Sequence, residues 1–231
     1  MITVALVGPD GAGKSTISAR LAHEVLPGPL RTIYMGVNLS ESTVLLPTTR
    51  LVLALKRSRG TLADTGHPDA SGGPRVARPS GGARGAVRAG LTGLRTTMWL
   101  AEEWYRQAVA WRWRRQGAVV VFDRHFYADY YHYDVSAGAP RTRSARVHGW
   151  LLEHAYPKPD LVIVLDAPGE VLFSRKGEGT PEWLEQRRQQ YRELEHLVPG
   201  FAVVDVDRPV DDVVADVVAA IRSACDRASA R

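Results

Sequence analysis

The sequence predicts an α/β fold, an open and mostly parallel sheet of five strands flanked by helices on both faces. Three observations carry that expectation. Five short apolar runs, 3–7, 31–35, 118–122, 161–165 and 201–206, lack the strict alternation of a half-solvated strand, as expected of parallel strands covered on both faces. Helix-period segments separate them, which calls for right-handed crossovers and parallel neighbours. A glycine-rich turn, Gly8-Pro9-Asp10-Gly11-Ala12-Gly13-Lys14-Ser15, joins the first run directly to a helical pattern.

Taken in order, Thr3 to Val7 is the first strand. The helix after the glycine-rich turn is expected from Ser15 to Leu26, with Ile17, Leu21 and Val25 at helical spacing and Pro27-Gly28 as its stop. Arg31 to Met35 reads as the second strand. Gly36 to Thr49, with Asn38, Ser40, Ser42, Thr43 and Pro47, reads as a loop beyond its carboxyl end, the edge where open parallel sheets bind ligands. Residues 56–90 hold eight glycines and three prolines, a composition that predicts a flexible basic insert. No aromatic residue interleaves its arginines, so it offers no stacking platform for single strands.

Leu91 to Gln116 is expected as a long helix with Leu94, Met98, Ala101, Tyr105 and Ala108 on one face. Trp99, Trp104, Trp111 and Trp113 lie mostly off that stripe and are expected against a neighbouring element or a partner chain. Gly117 closes the helix, Ala118 to Phe122 forms the third strand, and Asp123-Arg124-His125 follows it. Phe126 to Tyr133, aromatic and acidic with Asp129 in it, suits the wall of an acceptor pocket or an ordinary buried helix. Ser144 to Ala155 is a helix, and Leu161 to Leu165 is the fourth strand with Asp166 at its end. Val171 to Phe173 then leads through Arg175-Lys176-Gly177-Glu178-Gly179 to a helix from Pro181 to His196 bearing Arg187, Arg188 and Arg192. This glycine-hinged basic segment, 175–192, reads as a mobile cover over phosphates or as a solvated charged surface. Phe201 to Val206 is the fifth strand and Pro209 to Ala224 the last helix.

The chain of 231 residues, 45% hydrophobic and 24% charged, suits one domain with a sizeable core. Its sole cysteine, Cys225, excludes an internal disulfide and fits a reducing, cytoplasmic setting. Strand and loop begin at once, so no removable leader is expected, and no apolar run approaches a membrane span. The net charge of +5 is concentrated: residues 56–90 carry seven basic against two acidic residues, and the rest of the chain balances at 23 against 23. That distribution disfavours nucleic acid as a partner.

Two clusters carry chemistry. The turn Gly8 to Ser15 fills G-x-x-x-x-G-K-[ST], the phosphate-loop pattern. Its glycines let backbone N–H groups turn onto phosphate oxygens, and the following helix adds its positive N-terminal end. Gly8, Asp10, Gly11, Ala12, Gly13, Lys14, Ser15 and Thr16 are the candidate nucleotide-binding residues of this loop. Lys14 reaches the β/γ-phosphates and Ser15 ligates Mg²⁺. Asp123, at the carboxyl end of a buried strand, can hold Mg²⁺ or orient an attacking hydroxyl, and Arg124 beside it can clamp a transferring phosphate. A strand-end salt bridge is the other reading of that pair.

The order of Gly8 to Ser15, Asp123-Arg124-His125, Pro159 to Asp166 with Arg175 after it, and Asp205 to Pro209 resembles the thymidylate kinase-like group of P-loop nucleotide kinases. The resemblance implies a single P-loop NTPase domain that moves the γ-phosphoryl of ATP, with Mg²⁺, onto a small-molecule acceptor at the sheet's carboxyl edge. It places Asp10 near the acceptor's sugar hydroxyl and Ala12 where some members carry an arginine. It assigns the missing positive charge to Arg175, Lys176 and Arg188 of the lid, and sets Arg208 in the segment against the adenine. It also implies a homodimer through the tryptophan-rich helix.

The sequence departs from that group at the acceptor. Ile33 to Asn38 stands where a Thr-Arg-Glu-Pro-like segment is usual, and Phe126 to Tyr130 where the base is read. Ala101-Glu102-Glu103-Trp104 stands where an arginine grips the monophosphate. A carboxylate there repels an acceptor phosphate. Three readings follow: a nucleoside monophosphate kinase such as one for dTMP, a kinase for a sugar or other hydroxyl metabolite read by Glu102, Glu103 and Asp129, and an ATP-binding switch without an acceptor.

Overall fold

Five strands of this chain are apolar enough to be covered on both faces, and they pair in the order β2-β3-β1-β4-β5 with every pair parallel. A computed structural model describes residues 1–36, 42, 44–58, 83–125 and 143–230. The strands are β1 (Thr3–Val7), β2 (Leu30–Tyr34), β3 (Val119–Asp123), β4 (Leu161–Asp166) and β5 (Phe201–Asp205). The helices are α1 (Lys14–Leu21), α2 (Pro47–Ser58), α3 (Ala83–Arg115), α4 (Arg143–His154), α5 (Gly169–Lys176), α6 (Pro181–Arg192) and α7 (Val210–Ser229), with a 3₁₀ turn at Glu193–Leu197. The expected α/β class and five-stranded parallel sheet are present.

The chain divides into two compact units, Met1–Val37 with Val109–Arg231, and Asn38–Ala108. In the first, the core alternates across the sheet. Val4, Leu6, Val121, Leu161, Ile163 and Leu165 meet Ile17 and Leu21 of α1 and Val213, Val217 and Ile221 of α7. Ala5, Val120, Phe122, Val162 and Val164, which point the other way, are buried just as completely. Each such side chain contributes about 1.5–3 kcal/mol relative to exposure, and burial on both faces is why the strands read as continuous apolar runs. The outer strands differ. Residues Arg31 and Thr32 of β2 and Val203 of β5 are exposed, as edge positions allow.

A polar knot fixes the amino edge of the sheet. The Asp160 carboxylate accepts from the Thr3 amide and hydroxyl, both at 2.8 Å, and from Arg114 at 3.2 Å. Asp160, part of the family-like Pro159–Asp166 segment, is therefore architectural: it stands at the edge opposite the phosphate loop.

In the second unit, Glu102 of α3 accepts from the Leu46 amide and, at 2.7 Å, from the Thr49 hydroxyl. It so caps the start of α2, where Pro47 occupies the first helical position. The expected loop Gly36–Thr49 thus ends earlier than the sequence suggests.

Other boundaries shift as well. Helix α1 stops at Leu21, not Leu26, because Ala22, His23 and Glu24 turn their amides to carbonyls three residues back. The expected insert 56–90 is helical at both margins, its start lying in α2 and residues 83–90 in α3. Arginine and alanine between the glycines suffice for helix there. Residues 59–82 of the insert, Asn38 and Ser40 of the loop, and the segment Phe126–Tyr133 with Asp129 lie outside the described residues. The helix expected to run to His196 yields to the 3₁₀ turn after Arg192.

Candidate active site

Register brings the chemical residues to one edge. Leu6 pairs with Asp123, Val7 with Val164 and Asp166 with Asp205, so β1, β3, β4 and β5 finish at one edge, with β4 and β5 running past the end of β1. The ladder continues past the strands, since the Arg124 amide donates to Leu6 at 3.2 Å and the Val206 amide to Asp166 at 2.9 Å. The chain's crossovers leave β1 and β3 in opposite directions, and between such strands an open sheet forms its ligand crevice.

The loop from Gly8 is packed against this edge. Gly8 has φ +152°, and a Cβ there would lie 2.5 Å from the Leu165 carbonyl oxygen. Gly11 has φ +88°, and its Cβ would lie 2.5 Å from the Leu172 carbonyl oxygen on α5. Only glycine fits either place. Ala12 is buried, and its amide closes the turn onto Pro9. Gly13 is the N-cap of α1 with no side-chain capping bond, so the first amides of that helix are left for an anion. Ser15 and Thr16 are exposed in that first turn. Lys14 is buried and its ammonium donates to the Gly8 and Pro9 carbonyls at 2.7 and 2.8 Å, holding a cation over the loop.

Around the loop the predicted residues separate into those that converge on it and those that do not. The Ser15 hydroxyl donates to Asp123 Oδ2 at 3.4 Å. One hydroxyl and one carboxylate oxygen side by side suit Mg²⁺, which takes a small protein donor set and completes its shell with water and phosphate. Asp10 accepts from Arg124 at 3.1 Å and faces the Lys176 ammonium at 3.5 Å. Burial lowers the Lys176 pKa, but the hydrogen bond to Glu178 and the charge of Asp10 outweigh it and hold it above the ordinary lysine value. Arg124 has φ 62°, and it is the one non-glycine residue with positive φ among the described residues.

The other lid candidates point elsewhere. Arg175 donates to the Val206 carbonyl at 3.0 Å and to Asp207 at 3.3 Å, on the loop after β5. Arg208, on that same loop, pairs with Asp216 and donates to the Asp205 carbonyl. Arg188 grips Asp166 through two nitrogens, at 2.5 and 3.0 Å. The segment 175–192 is accordingly the end of α5, a turn at Gly177–Thr180 and α6.

Sequence reasoning missed the strongest ion cluster of the site. Asp166 is buried and bound by both Arg188 and Arg192, the latter at 2.6 Å. Burial alone raises its pKa, but the hydrogen bonds and charges of the two arginines prevail and hold it below the ordinary carboxylate value. The signal was available: arginines four apart share a helix face, and an aspartate ending an apolar strand needs a partner. His125 packs its ring 4.9 Å from that of Phe122, and burial pushes its pKa down to about 3, so it is neutral at physiological pH.

A five-stranded parallel sheet in this order with a phosphate loop after its first strand is the P-loop NTPase fold. No protein-family model matches the sequence, and no curated protein matches it. Among solved structures, the chain is similar to deoxyadenosine kinase from M. mycoides with bound dATP, at 16% identity and TM-score 0.49 over 94% of this chain and 98% of that one. It is similar to the same enzyme with products dCMP and a flexible dCDP bound, at 17% identity and TM-score 0.47 over 96% and 100%. Among the described residues no helix is long and apolar enough to cross a membrane.

Proposed function

We propose that this chain is an ATP- and Mg²⁺-dependent kinase that transfers a phosphoryl group to a small-molecule acceptor. The observation that carries this reading is the meeting of Ser15 with Asp123 at 3.4 Å, at the start of the same helix whose Lys14 ammonium is held over the loop. In this reading the loop amides and the start of α1 receive the donor phosphates, and Lys14 moves its hydrogen bonds from carbonyl to phosphate oxygens. Ser15 and Asp123 would hold Mg²⁺, which when bound would supply charge neutralisation at the phosphates. Arg124 and Lys176 supply further positive charge from either side of Asp10. Arg208 borders the donor from the loop after β5, and Arg175, near the end of α5, is bonded to that loop.

For the acceptor, the family resemblance favours a nucleoside monophosphate such as dTMP. A specific observation favours an unphosphorylated hydroxyl acceptor instead: Glu102 and Glu103, where the arginine for the acceptor phosphate is expected, are both buried carboxylate side chains. Glu102 is already committed to capping α2, so a hydroxyl would be read by other groups.

The deciding assay measures ATP consumption with Mg²⁺ over monophosphates, nucleosides, sugars and other hydroxylated metabolites, with the product weighed by mass spectrometry. A diphosphate product selects the first acceptor class, and transfer only to unphosphorylated compounds selects the second. ATP binding without turnover on any acceptor would leave the switch reading. Lys14→Ala is expected to lower turnover about 100-fold or more at unchanged secondary structure, and retained turnover overturns the assignment. The homodimer remains part of this proposal and is read from the mass in solution.

A further inference from the structure

The two arginines on Asp166 are held differently. All three guanidinium nitrogens of Arg188 are engaged: Nε and Nη2 on Asp166, and Nη1 on both Glu185 oxygens at 3.1 and 3.0 Å. Its side chain is 19% exposed. Arg192 donates a single hydrogen bond among the described residues, from Nη2 to Asp166 Oδ2, and its side chain is 43% exposed. A guanidinium carries five N–H donors in a planar fork matched to phosphate. Arg188 has spent nearly all of them, and Arg192 has one in use.

Asp166 also places Arg192 at the edge that matters. Val7 pairs with Val164, so Gly8 stands beside Leu165, whose carbonyl oxygen excludes a Cβ at Gly8. Asp166 is the next residue of β4. Asp166 therefore belongs to the carboxyl edge one residue past the position beside Gly8, and its carboxylate holds Arg192 at 2.6 Å.

We propose that Arg192, and not Arg188, is the cation of α6 that contacts the phosphates of the donor nucleotide, with Asp166 as the positioning residue that aims it and Arg188 as a fixed strut. This rests on the phosphoryl-transfer reading above. An arginine already oriented by a buried carboxylate loses less side-chain freedom on meeting phosphate than an unrestrained one. Its open donors can take the phosphate in a charge-assisted, bidentate contact.

Calorimetric titration of the full chain with ATP and Mg²⁺, and separately with inorganic tripolyphosphate, tests the assignment alongside thermal midpoints. Arg192→Gln is expected to keep its midpoint within about 2 °C, since the buried Asp166 keeps both its bonds to Arg188 and only a half-exposed guanidinium is lost, and to weaken both ligands about tenfold or more. Arg192→Lys is expected to recover part of that loss, and Arg188→Gln to lower the midpoint. Binding of both ligands within about twofold of the parent by Arg192→Gln overturns the inference. So does an Arg188→Gln chain that loses affinity at an unchanged midpoint. Lys14→Ala separates the two levels. If it loses binding and Arg192→Gln does not, only the role of Arg192 falls; if the parent binds neither ligand, the phosphate-loop reading fails and this inference with it.

Discussion

Arg124 stores strain where the chemistry is proposed. A non-glycine residue at φ 62° costs roughly 1–2 kcal/mol, and the cost is met by its amide on Leu6 and its guanidinium on Asp10. Arg124→Gly and Arg124→Ala both remove the guanidinium, but glycine accepts the backbone angle. Urea unfolding is expected to find the glycine variant more stable by roughly 0.5–1 kcal/mol, after allowance for glycine's greater unfolded freedom. An alanine variant of equal stability would mean the backbone relaxes without penalty. Arg175 teaches the same lesson about single residues. Its place in a basic segment suggests phosphate, and its guanidinium is bonded to the Val206 carbonyl and Asp207, contacts that its place in the last turn of α5 allows.

At the scale of elements, the loop between β1 and α1 is shaped by what presses on it. Helix α5 brings the Leu172 carbonyl against Gly11, whereas a Cβ on Gly13 would meet nothing within 4 Å. Both glycines have positive φ, so alanine strains either, but only Gly11→Ala also clashes with backbone. We expect Gly11→Ala to cost about 2 kcal/mol more than Gly13→Ala in chemical denaturation. Equal losses would show that α5 yields to the loop. The elements were legible where a pattern is repeated: the runs of β1, β3 and β4 were placed to within a residue. Ends were less so. The early stop of α1 depends on a change of hydrogen-bond partner at Ala22 that no side chain announces, and α3 begins among glycines that read as linker.

At the scale of the whole molecule, the buried Asp166 carboxylate ties α6 to the sheet, and this makes stability sensitive to acid. Asp166 has a lower pKa folded than unfolded, so the unfolded chain binds its proton first as pH falls. The stabilisation from Asp166 is complete above the ordinary carboxylate value near 4 and is lost as pH drops below it through the folded value. Asp166→Asn is expected to cost on the order of 3 kcal/mol at neutral pH, as breaking a buried pair does. Its deficit against the parent should shrink below about pH 4 in unfolding measurements. A deficit that stays constant from pH 6 to about 2.5 would mean the arginines are not held by the charge.

The residues 8–15 by themselves determined the shape of the loop after β1, because its contacts are local: Lys14 bonds carbonyls five and six residues behind it, and glycines permit the turn. Apolar runs likewise determined a covered parallel sheet, since burial of a strand is written in its own side chains. Only the tertiary structure decided which charges meet. Ser15 and Asp123 are 108 residues apart, Asp10 and Arg124 are 114 apart, and Asp166 finds Arg188 and Arg192 at 22 and 26. Those meetings follow from strand register and helix packing, which sum weak preferences over the whole core, so a sequence can mark a residue that needs a partner without naming the partner.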